Sequence, residues 1–228
     1  MHEPDVTLTD YGLTLECVLL AFLLGRAEER DLLMKRAGVG FFAFMGLSAA
    51  LGGTVHGFCP ELGSTACRVL WQWTLQAIGL SAVSMWWLGS SLMYSGRSRW
   101  FLGWGVAPLF VLYSAAAFAL TQQFWIAFTI YIPAAILLLA GFGVRLRGEP
   151  RAAGVGVAGS VLSFVSSAIQ FTRTGLHPVY FNHNALAHVV QAVALWLMFL
   201  GISGLARRAP SCDSGSSFLP DDIRAEAD

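Results

Sequence analysis

Three of the five histidines in this chain fall where long apolar segments end or begin: His56 closes the second, and His183 and His188 open the last. Neutral imidazole is the commonest protein ligand for zinc, and a catalytic zinc keeps three protein ligands with a fourth position open for water. Three histidines gathered at one depth of a helix bundle would supply that site. The ion would lower the pKa of its water to about 7 and so make a hydroxide nucleophile. Ser48, Tyr180, Asn184 and Gln191 are the groups that could orient ligands or hold an oxyanion beside it. Asn184 and His188 are four apart and share a helical face, as do His188 and Gln191, three apart. His183 and His188 are separated by about 140° on a regular helix. Both therefore reach one ion only if His183 stands in the frayed first turn or before it. The plain alternative is that interfacial histidines bond to water and head groups, which is the reading for His2 and His177.

Acidic candidates are few. Glu16 lies near the middle of the first apolar segment and Asp10 one to two turns nearer its start. A carboxylate in hydrocarbon costs a few kcal/mol at least, so Glu16 should face the bundle interior, protonated or paired, as a proton shuttle or part of a buried network. Asp10 has a second explanation, because acids near a helix N-terminus favour the helix dipole.

These residues sit on elements that only a bilayer explains. Of the 228 residues 56% are hydrophobic and 12% charged, against about 25% charged in soluble domains. Runs of roughly 20 apolar residues span a bilayer. Seven such spans are predicted, at 6–26, 37–58, 69–95, 100–121, 124–145, 152–172 and 183–206. Only Thr121-Gln122-Gln123 separates the fourth from the fifth, so a tight turn is expected there, with Trp100, Trp104 and Trp125 as interfacial rings. The fold class is thus an all-α integral membrane protein, a seven-helix bundle.

Twelve of the 14 basic residues fall in one set of alternate connections and the tail: Arg26, Arg30, Lys35, Arg36, Arg97, Arg99, Arg145, Arg147, Arg151, Arg207, Arg208 and Arg224. The other set holds Arg68 and Arg173. The positive-inside rule then puts the N-terminus outside and the C-terminus in the cytoplasm, in a plasma or inner membrane. The acidic start, Met1-His2-Glu3-Pro4-Asp5, is unlike the basic region of a signal peptide, so the first helix is expected to stay. Residues 1–208 form the transmembrane domain, and 209–228, rich in Ser, Asp and Pro, a disordered cytoplasmic tail. Zero net charge gives no footprint for a nucleic-acid partner; membrane lipid is the expected environment and candidate substrate.

Cys59 and Cys67 flank a short outer loop. In an oxidising compartment they could pair; alternatively Cys59, three residues after His56, joins a metal site as thiolate. Cys17 reads as a small core residue and Cys212 as a free cytoplasmic thiol. Small residues at Gly154, Gly156, Gly159, Ser160 and Ser163, and at Gly38, Gly46, Ala49, Gly52 and Gly53, let helix backbones approach closely in lipid. Pro108 and Pro133 are expected to kink their helices.

The whole pattern resembles the CREST-like superfamily of seven-helix membrane hydrolases, which includes alkaline ceramidases and adiponectin-receptor-like proteins. Its marks are Ser-x-x-x-His on the second helix, an Asp near the third, and His-x-x-x-His on the seventh. Gly53-Thr54-Val55-His56 resembles the first, and His183-Asn184-Ala185-Leu186-Ala187-His188 the last. Gly52 stands where the Ser would be, Asn184 where the first His would be, and Gln72 and Gln76 are the polar groups of the third segment in place of an Asp. The resemblance implies a zinc-dependent hydrolase of a lipid acyl or amide bond, with His56, His183 and His188 as ligands and Glu16, Asp10, Ser48 and Asn184 around them. Two other classes stay open: a proton-coupled transporter using Glu16 and the histidines, and bis-histidine haem ligation by His56 and His188. A retinal pigment is excluded, since the one lysine, Lys35, lies in a connection.

Overall fold

In hydrocarbon no water satisfies backbone N–H and C=O groups, so an apolar chain of this kind must bond them within helices. The structure is a computed structural model that describes residues 2–28, 31–59, 63–177 and 180–207. Among the described residues there is no strand, and the helices are α1 (Pro4–Arg26), α2 (Leu32–Phe58), α3 (Thr65–Met93), α4 (Gly96–Trp104), α5 (Val106–Ala119), α6 (Trp125–Arg145), α7 (Pro150–Thr172) and α8 (His183–Ala206). Six helical runs are long and apolar enough to cross a membrane, with α4 and α5 counted together. That is the pattern of a multi-pass membrane protein. The remaining helix, α3, is the longest at 29 residues; Arg68, Gln72, Gln76 and its serines dilute its apolarity, and it packs against α2, α5 and α6.

The predicted fourth span proves to be two helices meeting at Gly105. Pro108 has no N–H for the carbonyl of Trp104, and its ring crowds that carbonyl, so the ladder breaks one turn ahead of the proline. Pro133, by contrast, lies inside an unbroken α6. The turn at 121–123 forms as expected. Several helices start two to five residues earlier than hydropathy suggests, because capping residues extend them. Asp31 caps α2, its Oδ1 accepting from Leu33 N at 3.1 Å and Met34 N at 3.0 Å, and Ser64 caps α3. Prolines at the first turn open α1 and α7. Asp31 also takes both Arg99 Nη atoms at 2.6 Å, fastening α4 to the start of α2 at the end opposite His56.

The core runs along the contacts among these helices, with Leu20, Phe41, Phe42, Met85, Leu138, Phe142, Leu195 and Met198 fully buried. Cys17 is a buried free thiol within it. Small residues set the helix spacing as anticipated. A methyl added to Gly46 would sit 2.9 Å from Cys17 Cβ, and one on Gly53 2.8 Å from Asp10 Cβ, so α1 lies directly on α2.

Cys59 and Cys67 form a disulfide with Cα atoms 5.6 Å apart, which ties the end of α2 to the start of α3. Cys59 is therefore unable to serve as a thiolate ligand beside His56, which corrects that alternative. Closing a loop of this length removes about 2.5 kcal/mol of chain entropy from the opened state. The Cys59→Ser/Cys67→Ser variant is accordingly expected to melt several degrees lower in detergent. Reductant should lower the wild type by the same amount and leave the variant unmoved; unequal shifts would deny the bond that role. Residues 209–228, with the predicted tail and Cys212, lie outside the described residues, as do Arg30, Glu61, Arg208 and Arg224.

Candidate functional site

The end of α2, the start of α8 and the start of α1 come together at one end of the bundle, joined by bonds of backbone N–H groups. His2 N donates to Gly57 O at 3.0 Å and Glu3 N to His56 O at 3.2 Å. Asn182, the cap of α8, accepts from Asn184 N at 2.9 Å and Ala185 N at 3.1 Å, while its own N–H donates to Asp5 Oδ2 at 3.0 Å. The first residues of the chain thus bridge the two histidine-bearing helix ends.

Behind this join lies a cavity of about 330 Å³. It is lined from six helices, and most of the residues singled out by sequence meet in its wall: Asp10, Ser48, His56, His183, Asn184, His188 and Gln191. Glu16 is not there. It follows Asp10 by six residues, about 240° around α1, so it leaves the face that carries Asp10, Leu13 and Cys17 inward and is half-buried. Tyr180, 77% exposed, stands outside in the connection. Gln72 and Gln76 do not line the cavity either; Gln76 Oε1 accepts from Ser114 Oγ at 2.8 Å.

Two carboxylate–imidazole pairs organise the site. Glu3 Oε2 accepts from His56 Nδ1; a carboxylate only accepts, so Nδ1 carries a proton, and in the neutral imidazole Nε2 keeps its lone pair. Trp71 stands edge-on to the His56 ring at 6.4 Å. His188 is tied through Thr9, whose Oγ1 lies 3.1 Å from His188 Nδ1 and 3.0 Å from the carbonyl oxygens of both Asp5 and Val6. With the Thr9 hydroxyl proton directed to the backbone, Nδ1–H of His188 donates to Oγ1, and in the neutral imidazole Nε2 again keeps the lone pair. That Nε2 faces Asp10 Oδ1 at 3.4 Å. Two acceptors opposed beyond the usual range of about 2.7–3.2 Å need a positive species between them, a proton or a metal ion. Asp10 itself is 4% exposed.

The donor set suits zinc, which takes imidazole nitrogen and carboxylate oxygen. Two ligands of one tetrahedral zinc at about 2.0–2.1 Å stand about 3.4 Å apart. Histidine ligands typically give their second N–H to an oxygen, as Thr9 and Glu3 receive it here. Among the described residues no three His, Cys, Asp or Glu side chains converge closely enough, as they stand, to hold a metal ion. His183, in the first turn of α8, lines the same cavity without joining the pair.

The remaining polar groups are held by α7. Ser163 Oγ donates to Gln191 Oε1 at 3.0 Å, and Ser166 Oγ to Ala187 O at 2.8 Å. Gln170 Nε2 donates to Asn184 Oδ1 at 3.3 Å. With Oε1 occupied, Gln191 Nε2 is a buried donor at the cavity, beside the Tyr131 hydroxyl. Arg173 lines the opening from the end of α7 in a left-handed conformation, φ 54°, which costs a non-glycine residue about 1–2 kcal/mol. Sequence reasoning passed over Glu3, Thr9 and Arg173. Glu3 and Thr9 act on histidines far along the chain, and Arg173 registered only as a charge.

Fold and site together define a multi-pass helical membrane protein with a polar cavity at one end of its bundle. The chain belongs to a family of unknown function (DUF6962), which it matches over residues 6–207. Thr9, Asp10, His56 and His188 fall within that match, and Glu3 precedes it. Comparison with curated proteins and with solved structures returns no match.

Proposed function

We propose that this protein is a zinc-dependent membrane hydrolase acting on an acyl or amide bond of a lipid, in the manner of the seven-helix superfamily it resembles. The single observation that carries the reading is the Asp10–His188 pair, two opposed acceptors 3.4 Å apart in the wall of a buried cavity. Asp10, His188 and His56 are the proposed ligands. His56, a quarter exposed and held through Nδ1 by Glu3, lines the same cavity and would be the third ligand. Bound there, zinc supplies a hydroxide nucleophile at neutral pH. Thr9 and Glu3 fix the tautomers that leave both Nε2 atoms free, and Gln191 Nε2 donates to the oxygen on which charge develops.

The proposed topology has seven crossings, α3 included, with the N-terminus outside and the C-terminus in the cytoplasm of a plasma or inner membrane. Two features support it: the disulfide, which belongs to an oxidising compartment, lies at the cavity end, and the described basic residues outside the helix interiors crowd the other. A proton relay through Glu16 draws no support, since Glu16 does not line the cavity.

The test is the metal content of detergent-purified protein by mass spectrometry, wild type beside His56→Ala and His188→Ala. About one zinc per chain in the wild type, lost in both variants, is the expected result. A colourless wild type without stoichiometric metal would end the zinc reading, and iron with a haem absorption band would replace it with electron transfer.

A further inference from the structure

We propose that the cavity admits an amphiphile with an anionic head group, phosphate or carboxylate, and that Arg173 is the residue that binds this head group. Arg173 is the one lysine or arginine in the cavity wall. Among the described residues its guanidinium has no ion pair, and the nearby carboxylates are engaged elsewhere: Glu3 with His56, Asp10 facing His188, Asp5 with Asn182 N. It is also the only non-glycine residue with positive φ among the described residues, held there by backbone bonds of the α7 cap to Ile169 O and Gln170 O. That conformation closes the helix in the usual way and fixes where the Arg173 side chain departs from α7.

The rest of the cavity describes the remainder of the ligand. Gln191, nine-tenths buried beside the Tyr131 hydroxyl, offers an amide donor to a carbonyl or other acceptor oxygen. It lies about 12 Å further along α8 than His183, at the opening. The wall also carries apolar groups, Leu13, Ile78, Phe124 and Phe128 among them. At about 330 Å³ the space is at the low end of small-molecule sites, roughly 300–1,000 Å³. It accommodates a head group, its linkage and the first carbons of a chain, and leaves longer chains in the bilayer. One cationic group, a buried donor and apolar wall together suit an anionic lipid.

The inference rests on the cavity being the substrate site proposed above, but needs neither metal nor turnover. The experiment is equilibrium binding, by native mass spectrometry, of the detergent-purified full chain. The probes are a single-chain phosphate lipid, the same chain as a neutral monoacylglycerol, and inorganic phosphate. Wild type is expected to bind the phosphate lipid at least tenfold more tightly than the neutral one. Arg173→Gln should erase that preference, and Arg173→Lys should keep most of it, which excludes misfolding as the cause. Arg68→Gln, at the same end of the bundle but outside the cavity, should change nothing. Equal binding of neutral and anionic lipid would overturn the proposal, as would an equal loss in Arg68→Gln, the mark of a snorkelling interfacial charge. Inorganic phosphate binding as tightly as the lipid would also overturn it, by making the ligand a free anion. Arg173-dependent lipid binding in a protein that loads no zinc would sink the hydrolase alone.

Discussion

Asp10→Asn is expected to yield a protein that is more stable without metal and at least about 100-fold weaker in binding zinc. The carboxylate is 4% exposed, close to Gly52 and Gly53 of α2, and among the described residues its side-chain partner is the His188 Nε2 that faces it at 3.4 Å. Without metal a proton must lie between the two acceptors, and holding such a carboxylate–imidazole pair inside a membrane-spanning helix carries a desolvation cost. The amide keeps the shape, removes the charge, and offers Nδ2–H to the lone pair of His188. If about 2 kcal/mol is recovered, the metal-free variant should melt roughly 5 °C higher. Loss of a direct ligand should weaken the metal by no less than the 10–100-fold seen when outer-shell partners are removed. Thermal unfolding of chelator-treated protein and a zinc titration against a chromogenic chelator measure the two effects. A lower melting temperature with unchanged zinc affinity would make Asp10 a structural partner of His188 and nothing more.

Gly201→Ala is expected to lower the melting temperature by roughly 5–10 °C, and Gly201→Leu to prevent assembly of the bundle. A methyl on Gly201 would meet Gly156 Cα at 2.7 Å and Gly156 N at 2.8 Å. Both atoms are backbone, so neither can swing aside, and α7 must move away from α8. Lipid tails are as apolar as leucine, so packing and hydrogen bonds hold these helices together and separation forfeits them directly. Overpacking of this kind costs about 1–3 kcal/mol, and its rigidity puts this case at the upper end. The same displacement would pull Ser163 from Gln191 and Ser166 from Ala187, opening the cavity as well. Gly143→Ala on α6, where nothing lies within 4 Å, is the control and should be neutral or slightly stabilising. A Gly201→Ala protein melting within a degree of wild type would refute the close packing of α7 on α8.

Hydropathy made the helices legible because the bilayer allows one backbone solution, and the polar break at Thr121-Gln122-Gln123 marked a turn for the same reason. It could not show that α4 and α5 part at Gly105, since Pro108 disturbs the helix four residues before itself. At the site, the gathering of His56, His183, Asn184, His188 and Gln191 followed from placing both helix ends at one depth. The facing of Asp10 toward His188 did not, because depth along a helix says nothing about rotation. For that reason Glu16, deeper and equally suspect by type, falls on another face while Asp10 meets the cavity. Glu3 was hidden for a different reason. Its position is set by backbone bonds to Gly57 and His56, which belong to no periodic pattern.

Those same bonds carry a practical consequence for handling the molecule. With His2 N on Gly57 O and Glu3 N on His56 O, the segment that precedes α1 is a structural strap over the cavity. An affinity tag or fluorescent reporter fused ahead of residue 2 would load that strap and shift Glu3 from His56. A load on that segment would be felt at His56 through the Glu3 carboxylate.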